Sequence, residues 1–151
     1  MARPPRIELD DYLPYLVNRL GVALSARFAK DTLARRSLSI EMWRVLAVLS
    51  SQGEHRHADL GVMTSIDIST LSRMVSRLVR LGLVQRTGST NDKRAVTVAL
   101  TAKGGAVVAT LIPIALAYER HATAGVPAPE LALLKQALRR MHGNLIPPPR
   151  R

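Results

Sequence analysis

Hydroxyl and guanidinium groups recur on one side of a predicted helix between residues 68 and 80. Its members are Ser69, Thr70, Ser72, Arg73, Ser76, Arg77 and Arg80, with no acidic residue among them. Such groups donate hydrogen bonds to phosphates and to the acceptor edge of guanine. The pattern predicts a nucleic-acid surface, with Ser69, Thr70, Ser72 and Arg73 nearest the base edges. An ordinary solvated helix face is the alternative interpretation. Arg80 lies late in the helix, where the groove falls away, and is not among the predicted contacts.

The elements that carry this surface follow from hydrophobic spacing. Five apolar residues recur at helical intervals on the opposite side, and they are Leu71, Met74, Val75, Leu78 and Leu81. Asp67 is placed to cap this helix and Gly82 to end it. Beyond a turn-rich tip, Val96, Val98 and Leu100 alternate with smaller or polar residues, which predicts a β-hairpin with one buried face.

Charge supports the same interpretation. Between residues 67 and 94 six basic side chains stand against two acidic ones, and the formal net charge of the chain is +11. Arg86 precedes the hairpin tip, and Asp92, Lys93 and Arg94 follow it. This is the charge pattern expected where a polyanion binds. An anionic membrane surface and acidic small molecules remain alternative partners.

Composition narrows the class of protein. A chain of 151 residues with 47% hydrophobic residues fits one ordered domain. The absence of cysteine excludes disulfides and thiolate metal sites and favours a cytoplasmic location. The N-terminus lacks a secretory signal. The longest apolar stretch, residues 105–118, is interrupted by Thr110 and Pro113 and is shorter than a bilayer span. These features predict a soluble protein with no membrane partner.

The remaining chain is predicted to be helical. A first helix begins after Asp10 or Asp11, tolerates Pro14 in its first turn and ends near residues 33–37. A second is capped by Ser39, and a polar loop at 54–57 leads to a short third helix ending near Met63. Thr101 caps a largely apolar helix that extends to about residue 121, and a last helix ends near 145. The apolar stripe of the first helix comprises Leu13, Leu16, Val17, Leu20, Leu24 and Phe28.

This order of elements predicts a mainly α fold with a small β-hairpin wing, a winged helix-turn-helix over residues 38–101. Helices at 11–36 and 101–146 have more apolar surface than such a core can cover, so we expect a homodimer. Its two recognition helices would lie about 34 Å apart, one turn of DNA, on a roughly palindromic operator. Residues 10–146 form a single domain, between a flexible arm at 1–9 and a tail at 147–151.

At this point the sequence resembles the MarR family, the multiple antibiotic resistance type of bacterial transcription regulator. The resemblance rests on residues 70–86, which match the family's recognition helix, on Asp92-Lys93-Arg94, its Asp-x-Arg wing motif, and on Leu100 to Gly104, its Leu-Thr-x-x-Gly entry to the dimer helix. It extends from about Asp11 to Leu145.

The resemblance implies dimeric winged-helix DNA binding, more often repression than activation, and release from DNA when a small, often aromatic and anionic, effector binds. It also implies that Arg94 enters the minor groove while Asp92 braces the wing, and no cofactor is implied. A narrow minor groove has a negative potential that favours an arginine. The peroxide-sensing subgroup is excluded, because it requires a cysteine. The predicted DNA contacts are Ser69, Thr70, Ser72, Arg73, Ser76, Arg77, Arg86, Asp92, Lys93 and Arg94.

The sequence also has candidate residues for an effector pocket, a metal site and a catalytic site. Tyr12, Tyr15, Trp43 and Arg44 can line a pocket for an aromatic acid, or simply pack at a dimer or domain boundary. His55 and His57, with His121 and His142, can be viewed as metal ligands, but no acidic cluster completes a site. Nucleophilic catalysis would need a set such as Ser72, Asp67 and a histidine, but the sequence has no catalytic motif around them. A non-specific architectural DNA- or RNA-binding protein and a small-molecule enzyme remain the rival functions.

Overall fold

The computed structural model describes residues 6–88 and 96–145. Its helices are α1 (Leu13–Phe28), α2 (Ile40–Gln52), α3 (His57–Thr64), α4 (Ile68–Arg80), α5 (Ala102–Ala122) and α6 (Ala128–Leu145). Its strands are β1 (His55–Arg56), β2 (Val84–Thr87) and β3 (Thr97–Leu100). The mainly α architecture with a hairpin wing is the one that the sequence predicted.

Three of the helices begin where a side chain of the sequence caps them. Ser39 accepts a hydrogen bond from the Met42 amide, and Asp67 accepts one from the Thr70 amide. Thr101 accepts one from the Gly104 amide. Each satisfies a backbone donor that the first turn of a helix leaves unpaired. All three caps were predicted from the sequence.

The start of α1 differs from the prediction. Residues Leu9–Asp11 form a short 3-10 turn, and Tyr12 occupies the position before the helix without a side-chain cap. Asp10 and Asp11 therefore do not cap α1. Pro14 lies in its first turn, as predicted, where a missing amide donor costs no helical hydrogen bond.

The polar loop predicted at residues 54–57 contains a strand. β1 pairs with β3 in antiparallel register, His55 opposite Val98, and β2 pairs with the other edge of β3, Val84 opposite Leu100. The described residues thus form a three-stranded sheet in the order β1-β3-β2. This sheet attaches the hairpin to the N-terminus of α3 through a hydrogen bond from the His57 amide to the Val96 carbonyl at 3.0 Å.

The hydrophobic core lies between α2, α3, α4, the sheet and the first half of α5. Its fully buried side chains include Leu46, Leu60, Leu71, Leu78, Val98 and Leu111. Gly104 is required where α5 meets the hairpin base, because a Cβ there would lie 1.9 Å from the Leu83 carbonyl oxygen. The Thr101 amide and hydroxyl also donate to the Leu83 and Gly82 carbonyls, at 3.1 and 2.6 Å.

The terminal helices are packed differently. In α1 only Phe28 is buried, and none of the residues of α6 (128–145) is buried. Exposed side chains on these helices include Leu16, Val17, Leu20, Leu134, Leu138 and Met141. The apolar stripes predicted for these helices are present, but within one chain they have little to pack against.

Helix α5 is longer than the apolar stretch identified in the sequence. Its 21 residues, including Pro113, continue to Ala122, so by length and composition alone it is apolar enough to cross a bilayer. The prediction that this region is too short for a span was therefore wrong. One helix of such length and hydropathy is weak evidence for a membrane span, and Val108 and Leu111 of α5 are buried in the core.

Candidate nucleic-acid interface

The cap of α4 orders the first turn of the candidate interface. One Asp67 carboxylate oxygen accepts from the Ser69 hydroxyl at 2.6 Å and from the Thr70 amide at 2.9 Å. These bonds, led by that from Ser69, hold the pKa of Asp67 well below its usual range. The carboxylate is thus ionised near neutral pH and fixes the two residues predicted to approach base edges.

The two faces of α4 separate as the spacing predicted. Leu71, Val75 and Leu78 are fully buried. The predicted polar set lies on the other side, where Ser69, Ser72, Arg73, Arg77 and Arg80 are exposed and Thr70 and Ser76 are half-buried. Six residues from Ser72 to Arg80 line a shallow concavity on this face, and they are Ser72, Arg73, Met74, Ser76, Arg77 and Arg80.

Two of the guanidinium groups on this face also bind within the chain. Arg73 Nη2 donates to the Thr70 hydroxyl at 3.1 Å, which holds both side chains over the first turns of the helix. Arg77 Nη2 donates to the backbone carbonyl of Ser37 at 3.2 Å, across to the corner that precedes α2. A guanidinium has five N–H donors, so one internal bond leaves donors for a phosphate.

Arg86 connects the wing to the recognition helix. Its Nη2 donates to the Ser76 hydroxyl at 2.9 Å and lies 3.5 Å from the Ser72 carbonyl. The Ser76 hydroxyl itself donates to the Ser72 carbonyl at 2.8 Å. Sequence reasoning predicted Arg86 and Ser76 as DNA contacts but missed this contact, which fixes the angle between β2 and α4.

His57 lies beside the same cluster. Its Nε2 is 3.5 Å from the Ser72 hydroxyl, and burial, followed by the charge of Arg86, lowers the pKa of His57. Asp67 hydrogen-bonds Ser69 and Thr70 instead of this histidine. The carboxylate therefore does not orient the imidazole toward Ser72, as a catalytic triad would require.

The predicted interface also includes three residues of the wing tip. Asp92, Lys93 and Arg94 lie outside the described residues, so their predicted roles stay predictions. Among residues 6–88 and 96–145, no group of three or more acidic or histidine side chains is arranged to hold a metal ion. That range includes the four histidines considered as ligands.

A second site lies between α1, α2 and α5. This cavity of about 250 Å³ is lined by Leu24, Ser25, Phe28, Ile40, Trp43, Arg44, Ala115, Tyr118 and Glu119. The Phe28 ring meets Trp43 and Tyr118 edge to face, with centroids 5.4 and 5.6 Å apart. The lining is thus mostly apolar, with a guanidinium and a carboxylate at its edge, a composition typical of small-molecule sites.

The four residues predicted to bind an effector separate in the structure. Trp43 and Arg44 line the cavity, whereas Tyr12 and Tyr15 do not. The Tyr15 ring instead lies under Arg19, with 5.4 Å from the guanidinium carbon to the ring centroid. Sequence reasoning missed Phe28 and Tyr118. Tyr118 had a detectable signal, as the one aromatic residue of a helix that is otherwise mainly aliphatic.

Known proteins resemble this chain in sequence and in fold. The model of the MarR family matches residues 38–96. The multiple antibiotic resistance protein MarR of Salmonella typhimurium is 30% identical over 95 residues, which is 63% of this chain and 63% of that protein. The chain therefore aligns with less than two thirds of that relative's length.

Solved structures cover nearly the whole chain. A MarR-family transcriptional regulator from Silicibacter pomeroyi is 32% identical and has a TM-score of 0.84, covering 95% of this chain and 97% of its own. Bordetella bronchiseptica BpsR, whose DNA binding is regulated by 6-hydroxynicotinic acid, is 27% identical with a TM-score of 0.77. That match covers 86% of this chain and 98% of BpsR.

Proposed function

The chain belongs to the MarR family, and from this premise we propose that it is a ligand-responsive transcriptional regulator that represses its target by occupying operator DNA as a homodimer. The observation that carries the proposal is the exposed face of α4. Its hydroxyls and guanidiniums lie opposite the fully buried Leu71, Val75 and Leu78, and residues 68–80 include no acidic residue. Family members are regulators, and we propose no catalytic activity for this one.

In this proposal α4 enters the major groove. Ser69, Thr70, Ser72 and Arg73 lie in its first turns, the part of a recognition helix that reaches base edges. A bidentate arginine contact to guanine supplies about 1–3 kcal/mol of discrimination against other bases. Ser76, Arg77 and Arg86 follow along the groove wall and suit phosphates.

The wing is proposed to complete the contact. Arg94 would enter the adjacent minor groove, with Lys93 on phosphate and Asp92 bracing the tip. Because several basic side chains displace counterions from phosphates, affinity should fall steeply as salt concentration rises.

The dimer is proposed to form through residues 11–36 and 101–146, on either side of a DNA-binding core at 38–101, within one domain at 10–146. Leu16, Val17 and Leu20 of α1 and Leu134 of α6 are between 42% and 53% exposed in the single chain. A second copy is the economical cover for such surface, since it would also present two α4 helices with the symmetry of a palindromic operator.

The cavity between α1, α2 and α5 is the proposed effector site. Trp43 and Phe28 offer aromatic faces and edges, and Arg44 offers a cation for an anionic group. Glu119 lies at the same cavity and pairs with Lys135, and its remaining acceptor positions favour a ligand that also carries a donor such as a hydroxyl. A small hydroxylated aromatic acid has this chemistry, and BpsR responds to one such molecule. We place the protein in the cytoplasm, where DNA and such metabolites meet.

Selection from a random duplex pool, followed by footprinting of the selected sequence, tests the proposal. We expect an inverted repeat whose half-site centres are about one helical turn apart. The rival function is a non-specific nucleic-acid protein, which the net charge of +11 favours. No enrichment over random duplex, or equal binding to RNA, would support that rival and reject operator recognition.

A further inference from the structure

The nine residues that follow α1 have an irregular backbone between the cavity and α4. Residues Ala29–Leu33 form a π-helical turn, in which the Ala34 amide reaches back five residues to the Ala29 carbonyl. Ala34–Arg36 then form a 3-10 turn, and Ser37 takes a left-handed conformation with φ 54°. We call residues 29–37 the coupling segment. Single π turns occur frequently at functional sites.

Helix α5 holds this segment at two points. The Tyr118 hydroxyl donates to Asp31 Oδ2 at 3.0 Å, and Arg36 Nη2 donates to the Thr110 hydroxyl at 3.5 Å. Tyr118 also lines the cavity and meets the ring of Phe28, the last residue of α1. A molecule that enters the cavity therefore contacts the side chain that holds Asp31.

The far end of the segment is attached to the recognition helix. The left-handed Ser37 presents its carbonyl to Arg77 Nη2 at 3.2 Å. Two residues later, the Ser39 hydroxyl lies 3.7 Å from the sulfur of Met74, also on α4. Thr32 and Leu33 of the segment are buried, so its inner side is packed, while the hydrogen bonds described above lie at the surface.

We propose that the coupling segment transmits occupancy of the cavity to the recognition helix. Displacement of Tyr118 leaves Asp31 with only its exposed ion pair to Arg27, at 3.8 Å within the same stretch of chain. The segment then repacks, and the Ser37 carbonyl leaves Arg77. Helix α4 then loses one of its attachments to the α1 side of the molecule. The π turn suits this role, because shifting its extra residue changes the register of Ala34 to Ser37 without unfolding α1. The inference rests on the proposed function and names how the same site is regulated.

Amide exchange on the full chain without DNA tests the route directly. Tyr118→Phe removes the hydroxyl and keeps the ring. We expect it to raise exchange about threefold or more at residues 34–38 and at the last turn of α4. In an Arg77→Ala background, Tyr118→Phe should still raise exchange at 34–38 but no longer at α4. Ser51→Ala is the matched control, since it removes a hydroxyl-to-carbonyl bond at the end of α2.

Operator binding gives the second readout. Tyr118→Phe and Arg77→Ala should each change affinity for the selected duplex, and the double variant should depart from the product of the single effects by about threefold or more. Independent effects in both measurements, or unchanged exchange in α4 when Tyr118→Phe has loosened residues 34–38, would overturn the inference. Failure to select any duplex would reject the proposed function, and the exchange data would still decide the route.

Discussion

Helices α4 and α6 both have an apolar stripe and a basic, polar face, but they bury their stripes to different extents. Leu71, Val75 and Leu78 of α4 have no exposed surface, whereas Leu134 and Leu138 of α6 are 48% and 37% exposed. The winged-helix part of the chain thus completes its hydrophobic core without a partner. The terminal helices do not, and their stability is expected to depend on a second copy. Recognition and assembly therefore depend on different helices, and substitutions on the exposed face of α4 should change recognition without changing assembly.

The largest effect on stability is expected at Gly104, where α5 and the hairpin base are in closest contact. Gly104→Ala places a Cβ 1.9 Å from the Leu83 carbonyl oxygen. Only a movement of the backbone can relieve this overlap. We expect a loss of more than about 3 kcal/mol in the free energy of unfolding, measured by urea denaturation. Gly105→Ala is the matched control, because no atom lies within 4 Å of its added Cβ. It should gain up to about 1 kcal/mol from helix propensity. Equal stability of the two variants would contradict the described packing.

The next effect concerns the exposed stripe of α6. Replacing Leu134 and Leu138 by Glu should convert the dimer to monomer in sedimentation equilibrium, because charges at an apolar interface lose their hydration. Operator affinity should fall by about 10²-fold or more, as the advantage of binding two linked half-sites is lost. Gln136→Glu adds a charge on the other side of α6 and should change neither quantity. A double variant that stays dimeric would exclude this stripe from the interface.

On α4 the expected effect is smaller and specific to sequence. Arg73→Ala should reduce the preference for the selected operator over a scrambled duplex by about 1–3 kcal/mol, while leaving unfolding nearly unchanged, since the side chain is exposed. Arg80→Ala, two turns further along and outside the proposed contacts, should change binding to either duplex little. Competition binding at fixed salt measures both variants. An even loss for Arg73→Ala would assign it to phosphate instead of a base.

The smallest effect is a dependence of stability on pH. Burial and Arg86 lower the pKa of His57 from 6.5, so the unfolded chain takes up this proton at a higher pH than the folded chain does. The folded state is therefore favoured most above pH 6.5 and loses stability as the pH falls through the lowered value. His57→Asn should flatten this part of the urea-midpoint profile between about pH 5 and about pH 7.5. A steeper acid dependence in the variant would refute the sign.

Features that depend on local spacing could be predicted from the sequence. The caps at Ser39, Asp67 and Thr101 and the buried face of α4 each follow from residues within a few positions of one another. Features that depend on distant partners could not. β1 has two residues, too few for a period of two to show, and its partner lies about 40 positions away.

The same limit applies to the candidate sites. The polar face of α4 was predicted, but the attachments of Arg77 to Ser37 and of Arg86 to Ser76 join residues 40 and 10 positions apart. Tyr118 and Phe28 meet in the cavity only because α1 and α5 pack together. The π turn at 29–33 has no periodic signature, because a single wide turn inside a helical pattern leaves the hydrophobic spacing almost unchanged.

The position of Gly104 has a mechanical consequence. The base of the hairpin and the first turn of α5 approach each other at the Leu83 carbonyl and Gly104, with no room there for a side chain on residue 104. We expect so close a backbone contact to resist hinging, so that the hairpin follows the direction of α5. In an assembly of two chains, a small swing of one α5 against the other would be amplified along the lever arm of each hairpin. The spacing of the two hairpins along a duplex would then be set by the tilt between the two α5 helices.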